Sequence, residues 1–508
     1  MALINRLKQE GHHHVSLYME SYPDETTFGL EDVTLKIKNR SNPFASDEFE
    51  NFQWNHDFDV LSQLFPFFYG SDSCDIVLKE HRDYFNRMAN MEFDLILTDS
   101  LFAVCGYGIA TLNKAHHVLM SSTHIESATG TMRAFGINFA LTPRHFMPNH
   151  DVEFKPDQFY YRLKGTIEWI SNFVISGVIT GERMKMALAP VLPSFSFFEY
   201  QKTATSVFTD MPYDLIGPYP RTNDLLEYGA YCPTPRPLTG KLLDFVSDPD
   251  SKGTILVAFG TVINWKSVPS EKFDAIFETL NSLTDYRIVW SYNGEKIDTK
   301  PHIYTSSWIP QVDVLFDSRT VLFFSHGGLK SVKEATCASV PSVFMPMFAE
   351  QVRNGWMAKN NGFAEVFNKH NLTASNLRET MIRVLENDNF SANAARKTTF
   401  FNDKVIHPLS QGVHHINRVM SYVSLVALIV RMDRDEQHSF IFVLVDTIPS
   451  KLRYLIYLGY HDRTAYHTIS FAPVALHFRQ LHQRFEIGRN FKPLPKFCLY
   501  CVTTSSFL

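Results

Sequence analysis

Cysteine is scarce in this chain of 508 residues, which contains only Cys74, Cys105, Cys232, Cys337, Cys498 and Cys501. So few cysteines, so widely scattered, exclude the class of small disulfide-rich domains. Cys498 and Cys501 have the spacing of a metal-binding or redox pair, but no second pair accompanies them and no strand–helix pattern surrounds them. The sequence therefore predicts neither a disulfide framework nor a metal site.

Long apolar runs are also missing. The longest run in the C-terminal region, residues 423–430, ends at Arg431, whereas a helix needs about 20 apolar residues to span a bilayer. Residues 1–19 are amphipathic and charged, without the uninterrupted apolar stretch of a signal peptide. The chain as written is therefore predicted to be soluble.

An excess of positive charge is absent as well. Lys and Arg number 48 against 53 Asp and Glu, a net charge of -5, which leaves no basic surface for nucleic acid. The composition, 45% hydrophobic and 20% charged, is typical of a globular protein. The length exceeds what one hydrophobic core usually supports, so two domains are expected.

Strand and helix patterns alternate along both halves of the chain. Residues 93–100 are predicted to form a buried strand, residues 102–117 a helix and residues 118–123 another strand. This order predicts parallel βαβ units. The same alternation restarts after residue 250, with predicted strands at 253–260, 286–292, 321–325 and 341–347.

The sequence therefore predicts an α/β protein with two Rossmann-like domains. Three prolines within residues 232–240 indicate the linker between them. The predicted ranges are 1–231 for the first domain, 232–250 for the linker, 251–405 for the second domain and 406–508 for a tail without sustained periodicity.

A glycine-rich turn follows the predicted strand that ends at Ser325. His326, Gly327 and Gly328 lead from this strand into the next helix, and ligands of open α/β sheets bind at the carboxyl ends of strands. Glycines let the backbone approach a ligand closely, and free N–H groups at a helix N-terminus favour a phosphate. His326 adds a donor for the same oxygens, so the turn is a candidate phosphate site.

The helix after this turn and the loop before it carry nucleotide-binding side-chain types. Glu334 can accept hydrogen bonds from ribose hydroxyls. Trp308 offers a flat ring for stacking a base, and Gln311 an amide for the polar edge of that base.

Two further pairs follow predicted strands. Gly260 and Thr261 form a second turn suited to phosphate, and Glu350 with Gln351 places an acid and an amide where sugar hydroxyls can be bound. Together with the preceding residues, these pairs predict a site for a nucleotide-diphosphate sugar.

Residues 308–351, with the core FFSHGGLKSVKE…VPSVFMPMFAEQ, resemble the signature region of the UDP-glycosyltransferases, in particular the animal UDP-glucuronosyltransferase type. Every spacing agrees: three residues from Trp308 to Gln311, fifteen to His326, eight to Glu334 and sixteen to Glu350. Weaker similarity covers residues 4–405. The resemblance implies a GT-B fold, in which two Rossmann-like domains enclose the active site in the cleft between them.

The family's donor contacts map onto seven residues of this chain. They are Trp308 and Gln311 for uracil, Thr261 and His326 for the diphosphate, Glu334 for the ribose, and Glu350 and Gln351 for the donor sugar.

The resemblance also implies the reaction. A hexose or glucuronic acid would pass, with inversion, from UDP-glucose or UDP-glucuronate to the hydroxyl of a small lipophilic acceptor, a detoxification reaction. The UDP-sugar is a co-substrate, and no cofactor or metal is expected. The family further implies homo- or hetero-oligomers and the endoplasmic reticulum membrane.

Asp99 is the candidate catalytic residue of the first domain. It ends the predicted strand at 93–100 and matches the family's acid, which orients a histidine base on the loop after the first strand. If residues 3–18 match the family's segment after that loop, the first strand and its histidine precede Met1, and His12 matches a structural histidine. The sheet is then expected to lack a central strand, leaving its neighbours unpaired.

Two functions remain open on the sequence. The chain is either a working UDP-glycosyltransferase or a truncated, weak or inactive isoform that binds UDP-sugar, since loss of a general base costs about 10²–10⁴-fold in rate. A nicotinamide dehydrogenase is disfavoured because no G-x-G-x-x-G follows the first predicted strands.

Overall fold

The computed structural model describes two parallel α/β sheets and the helices around them. The described residues are 2–9, 14–21, 34–36, 46–122, 125, 127–133, 155, 157–216, 222–432, 440–444, 455–459 and 496–502. The chain divides into two compact units, one of residues 1–412 with 496–508, the other of residues 413–495.

Helices α1 to α18 follow one another along the chain. In order they are Ala2–Gln9, Asp47–Asn55, Leu64–Glu80, Arg82–Ala89, Val104–Asn113, Ser127–Met132, Phe159–Phe173, Thr180–Leu188, Phe197–Thr203, Tyr213–Ile216, Gly240–Val246, Ser270–Ser282, Gln311–Leu315, Leu329–Ala338, Gln351–Asn360, Ala374–Leu385, Asp388–Asn402 and Pro408–Met432. A π-helical stretch, Val174–Ile179, joins α7 to α8, and 3₁₀ turns occupy Val60–Gln63, Trp265–Ser267 and Lys369–Asn371.

Strands β1 to β15 belong to two large sheets and one hairpin. In order they are His14–Ser21, Thr34–Lys36, Leu95–Asp99, His116–Ser121, Ser206–Thr209, Leu225–Leu226, Thr254–Ala258, Arg287–Ser291, Ile303–Ser306, Thr320–Ser325, Ser342–Phe344, Ala364–Val366, Phe440–Leu444, Leu455–Gly459 and Lys496–Val502.

The first sheet has seven strands in the order β2-β1-β15-β3-β4-β5-β6, all parallel. With β15 counted as the first strand, this is the doubly wound order, in which the strand order reverses between β15 and β3. Their carboxyl ends, at Val502 and Asp99, therefore meet at the point where such sheets bind ligands.

The central strand of this sheet comes from the far C-terminus. In β15, Leu499 lies opposite Leu17 of β1 on one side and opposite Leu97 of β3 on the other. The expectation that the sheet lacks a central strand is therefore wrong, as is the expectation that Cys498 and Cys501 lie outside regular structure. A strand of seven residues is too short for its periodicity to reveal it, and its partners are far away in sequence.

The second sheet has six parallel strands in the order β12-β11-β10-β7-β8-β9, again doubly wound. All five residues of β7 are buried, as expected for a strand that helices cover on both faces. The strand order reverses between β7 and β10, where Ala258 lies opposite Ser325. The turns that follow these two residues are the two glycine turns predicted to bind phosphate.

Two disulfides correct the prediction that the cysteines form no framework. Cys74 of α3 is bonded to Cys105 of α5, and Cys232 is bonded to Cys337 of α14. The partners are 31 and 105 residues apart in sequence. Such pairings depend on how helices pack across the fold, which cysteine spacing alone does not show.

The proline-rich segment contains regular structure. Residues Gly240–Val246 form α11, and Leu238 and Val246 are buried in the core on one face of the second sheet. The domain boundaries at 231, 250 and 405 stay predictions, although β15, within the predicted tail, belongs to the first sheet.

The second unit contains most of α18 and an antiparallel hairpin of β13 and β14, with Phe442 opposite Tyr457. Among the described residues, no helix combines the length and apolarity needed to cross a membrane.

Candidate functional site

His326 lies at the carboxyl end of β10, between the two glycine turns. Its Nδ1 is 3.2 Å from the Ser325 hydroxyl; with that hydroxyl donating, the ring proton is on Nε2. Burial lowers the pKa of His326 to about 4, so the ring is neutral at physiological pH. It therefore acts as a neutral donor rather than a fixed positive charge.

Gly260 and Gly328 leave room for this ring. A Cβ atom added at Gly260 would lie 2.9 Å from His326 Cε1, and one added at Gly328 would lie 2.5 Å from Nε2. Gly260 also has a φ of +72°, in the left-handed region that favours glycine. Both glycines are thus required by the packing of the histidine.

The resemblance implies UDP binding, and replacing Gly260 with alanine is then expected to weaken it by about tenfold or more, because the added methyl group displaces His326. Gly240 is the matched control: its φ is +59°, and a Cβ there would have nothing within 4 Å. Calorimetric titration with UDP checks both variants. Equal affinities for Gly260→Ala and Gly240→Ala would show that the position of the ring does not matter for binding.

The base and ribose candidates contact each other. Gln311 Nε2 donates to Glu334 Oε2 at 2.6 Å and lies 3.4 Å from the Ser331 hydroxyl. Burial raises the pKa of Glu334, and the hydrogen bond from Gln311 partly offsets this. The start of α13 and the second turn of α14 therefore form one polar cluster.

Trp308 is 70% exposed, which leaves its ring available for stacking. Thr261 is also exposed, in the turn after β7. Their predicted contacts with a base and a diphosphate stay predictions.

Glu350 and Gln351 are both buried at the start of α15. Gln351 Oε1 accepts hydrogen bonds from the N–H groups of Met347 and Phe348, at 2.9 and 3.1 Å. A Cβ added at Gly327, whose φ is +80°, would lie 3.2 Å from the Gln351 carbonyl oxygen. The acid-amide pair thus lies against the glycine turn of His326, and Gln351 also holds the loop before it.

Asp99 caps the turn that follows β3. Its Oδ1 accepts from the N–H groups of Leu101 and Phe102 at 2.9 and 3.1 Å, and its carbonyl oxygen accepts from the Tyr107 hydroxyl at 2.9 Å. The structure thus places Asp99 at the carboxyl edge of the first sheet, as predicted. Its predicted catalytic role stays a prediction.

Two buried polar groups near the predicted residues were missed by the sequence reasoning. The Asn354 side chain, on α15 one turn after Glu350, has no hydrogen-bond acceptor for Nδ2 within the described part of the chain. The Ser100 hydroxyl, next to Asp99, also has no partner there. Their positions in the sequence, four residues after Glu350 and directly after Asp99, are the signal that could have identified them.

An ion pair between the two halves of the chain was also missed. Lys333 of α14 donates to Asp210 Oδ1 at 2.6 Å and to the Gly229 carbonyl oxygen at 2.8 Å. Asp210 follows β5 of the first sheet, and both charged residues are buried. No local pattern in the sequence marks this pair.

Comparison with known proteins gives a family match and structural neighbours of similar fold. The family model described as "UDP-glucoronosyl and UDP-glucosyl transferase" matches residues 6–425. Among solved structures, the glycosyltransferase VinC in complex with dTDP covers 83% of this chain and 95% of its own, with a TM-score of 0.54 at 16% identity. The calicheamicin glycosyltransferase CalG4 covers 82% and 94%, with a TM-score of 0.53 at 15% identity.

Curated relatives are animal UDP-glucuronosyltransferases. Protein 1-2 of Mus musculus is 24% identical over 361 residues, 69% of this chain and 65% of that protein. Protein 2B14 of Oryctolagus cuniculus is 24% identical over 381 residues, 73% and 70% of the two chains. Protein 2A2 of Mus musculus is 29% identical over 195 residues, only 38% of this chain and 36% of that protein.

The two doubly wound sheets and their likeness to solved structures define the fold class, GT-B. Within that class, the chain belongs to the UDP-glucuronosyl and UDP-glucosyl transferase family of enzymes.

Proposed function

We propose that this chain transfers glucose or glucuronic acid from the corresponding UDP-sugar to a hydroxyl of a small lipophilic acceptor, with inversion. The observation that carries the proposal is the His326 ring between Gly260 and Gly328, at the point where the strand order of the second sheet reverses. A neutral donor beside two glycine turns is suited to diphosphate oxygens.

Each neighbouring group has a distinct part in the proposed reaction. The Gln311–Glu334 cluster binds the base edge and the ribose hydroxyls, while Glu350 and Gln351 orient the sugar. His326 stabilises the charge that develops on the departing UDP. Asp99 orients or replaces the base that accepts the proton of the acceptor hydroxyl.

A second candidate function, binding of UDP-sugar with weak or no turnover, is favoured by one observation. In the family the base histidine follows the strand whose place β15 takes here. The six residues after Val502 are TTSSFL, without a histidine. Loss of the base slows transfer by about 10²–10⁴-fold and leaves donor binding intact.

Donor binding is required by both functions, and only transfer distinguishes them. Calorimetric titration with UDP, UDP-glucose and UDP-glucuronate should show binding to the wild-type chain and at least about tenfold weaker binding to Gln311→Ala, which loses the amide and its contact with Glu334. The UDP-sugar that binds with the higher affinity identifies the donor class. Absence of UDP binding by the folded wild-type chain would contradict both functions.

We further propose that the chain works in an oxidising compartment, the lumen of the endoplasmic reticulum. Its two disulfides support this, because such bonds persist where thiols are oxidised. Two N-glycosylation sequons begin at Asn371 and Asn389, and both asparagines are exposed. A third, at Asn39, lies outside the described residues.

The chain isolated from its own organism is therefore expected to lose mass on treatment with peptide N-glycosidase. It should also resist thiol alkylation at Cys74, Cys105, Cys232 and Cys337 until it is reduced. An unchanged mass together with four reactive thiols would contradict the proposed compartment.

A further inference from the structure

A short segment of the N-terminal half packs on the second sheet, although Phe49 in it also stacks on Phe65 of the first half. We call residues 46–58, which comprise α2, its N-cap Ser46 and the first residues of the loop after it, the arm. Trp54 of α2 is buried in the core of the second sheet, where its ring centroid is 5.8 Å from that of Trp265. Phe49 and Phe58 place their rings 5.9 and 5.5 Å from Phe348.

The arm contacts the loop that leaves β7. Glu50 is buried, and its two carboxylate oxygens accept hydrogen bonds from the Asn264 amide, at 3.0 Å, and from the Ser267 hydroxyl. Asn264 and Ser267 bracket the 3₁₀ turn that follows Gly260 and Thr261. A buried carboxylate of the arm thus holds the loop that carries the first glycine turn.

The arm also contacts the loop that leaves β11, through Lys369. This lysine is fully buried, and its ammonium group donates to the carbonyl oxygens of Gln53, at 2.7 Å, of His56, and of Met347, at 2.8 Å. The first two carbonyls end α2, where a cation is favoured by the helix dipole. The third belongs to the residue whose N–H group donates to Gln351 Oε1.

The outer side of the arm carries a further pair. His370 Nε2 lies 2.9 Å from Asp57 Oδ1.

On α2 itself, Glu48 is exposed, whereas Glu50 is buried. These two glutamates of one helix thus differ in burial, which gives a matched comparison.

From these contacts we infer that the arm is a positioning element for the donor site. Glu50 fixes the loop of Gly260 and Thr261, and Lys369 ties the arm to the loop that leads to Glu350 and Gln351. These are positioning residues, since they act through the loops and not on the donor. The inference rests on the proposed function only in assigning those loops to UDP-sugar binding.

Glu50→Ala removes both hydrogen bonds to the loop and is expected to weaken UDP binding by about tenfold. In transfer assays it should raise the KM for the donor and leave the KM for the acceptor unchanged. Glu50→Gln keeps an acceptor for Asn264 and is expected to restore affinity to within about threefold of the wild type. Glu48→Ala is the control, because it removes a like charge from the exposed side of the same helix.

Hydrogen exchange of the unliganded chain separates the inference from the proposed function. In Glu50→Ala, amides of residues 259–268 should exchange about tenfold faster than in Glu48→Ala, with exchange in β3 and β4 unchanged. Should Glu50→Ala fail to fold, Asn264→Ala removes one of the same hydrogen bonds from the loop side and should give the same local change.

Equal exchange at residues 259–268 in the Glu50 and Glu48 variants would overturn the inference, as would equal UDP affinities when the wild-type chain binds UDP. If the exchange difference is present but the wild-type chain does not bind UDP, the proposed function fails while the positioning of the loop stands.

Discussion

Replacing Leu499 with proline is expected to unfold the seven-stranded sheet. β15 lies between β1 and β3, with Leu499 opposite a residue of each. Proline has no N–H group for a strand ladder and is excluded from central strands. The expected loss is on the order of 3 kcal/mol or more, seen as a lower urea midpoint or as loss of soluble protein, whereas Leu499→Val should fold.

The register of β15 offers an independent check. Cys498 lies opposite Ile96 of β3, and Leu499 lies opposite Leu97. Oxidation of Ile96→Cys should therefore cross-link it to Cys498, and oxidation of Leu97→Cys should not. Equal urea midpoints for the proline and valine variants, with no cross-link in Ile96→Cys, would show that the C-terminal strand does not lie between β1 and β3.

Replacing Lys333 with methionine is expected to lower the free energy of unfolding by about 3–5 kcal/mol. The change leaves the buried Asp210 carboxylate without its ion-pair partner, and the Gly229 carbonyl oxygen loses a donor. Methionine has a similar length, so the effect comes from the uncompensated charge and not from a cavity. Urea unfolding followed by tryptophan fluorescence measures it.

The double variant Asp210→Leu with Lys333→Met is the control for this prediction. Removing both charges should restore most of the lost stability, because a buried ion pair contributes little compared with an apolar pair. A double variant as unstable as the sum of the two single variants would indicate that the charges do not interact.

The parts of the fold that the sequence predicted depend on local patterns. The run FDLILTDS predicted a strand that the structure places at Leu95–Asp99, and GTILVAFG predicted one found at Thr254–Ala258. Both are buried runs followed by turn residues, and helices cover the sheets they belong to. Such segments are recognisable because their own residues decide their structure.

β15 could not be predicted in the same way. It is a strand because it pairs with β1 on one side and β3 on the other, and β3 is about 400 residues away along the chain. Its neighbours, and not its own periodicity, decide its structure. The disulfide between Cys232 and Cys337 is another contact of this kind.

The same distinction between local patterns and distant contacts applies to the candidate site. His326, Glu334 and Glu350 were found because their spacing within one βαβ unit is fixed by short strands and helices. Lys333, next to Glu334, was not recognised because its partner Asp210 lies on the other sheet. Glu50 escaped notice for the same reason, since its partners belong to a loop more than 200 residues further on.

The most direct test of the proposed function is acceptor-dependent release of UDP by the purified chain. UDP-glucose or UDP-glucuronate is supplied with a panel of phenols and sterols, and His326→Ala is measured beside the wild type. The proposal predicts release that requires an acceptor and falls about 10²–10³-fold in the variant, which lacks the donor to the diphosphate. A folded wild-type chain that binds UDP but releases none from either donor would contradict transfer and leave UDP-sugar binding as its function.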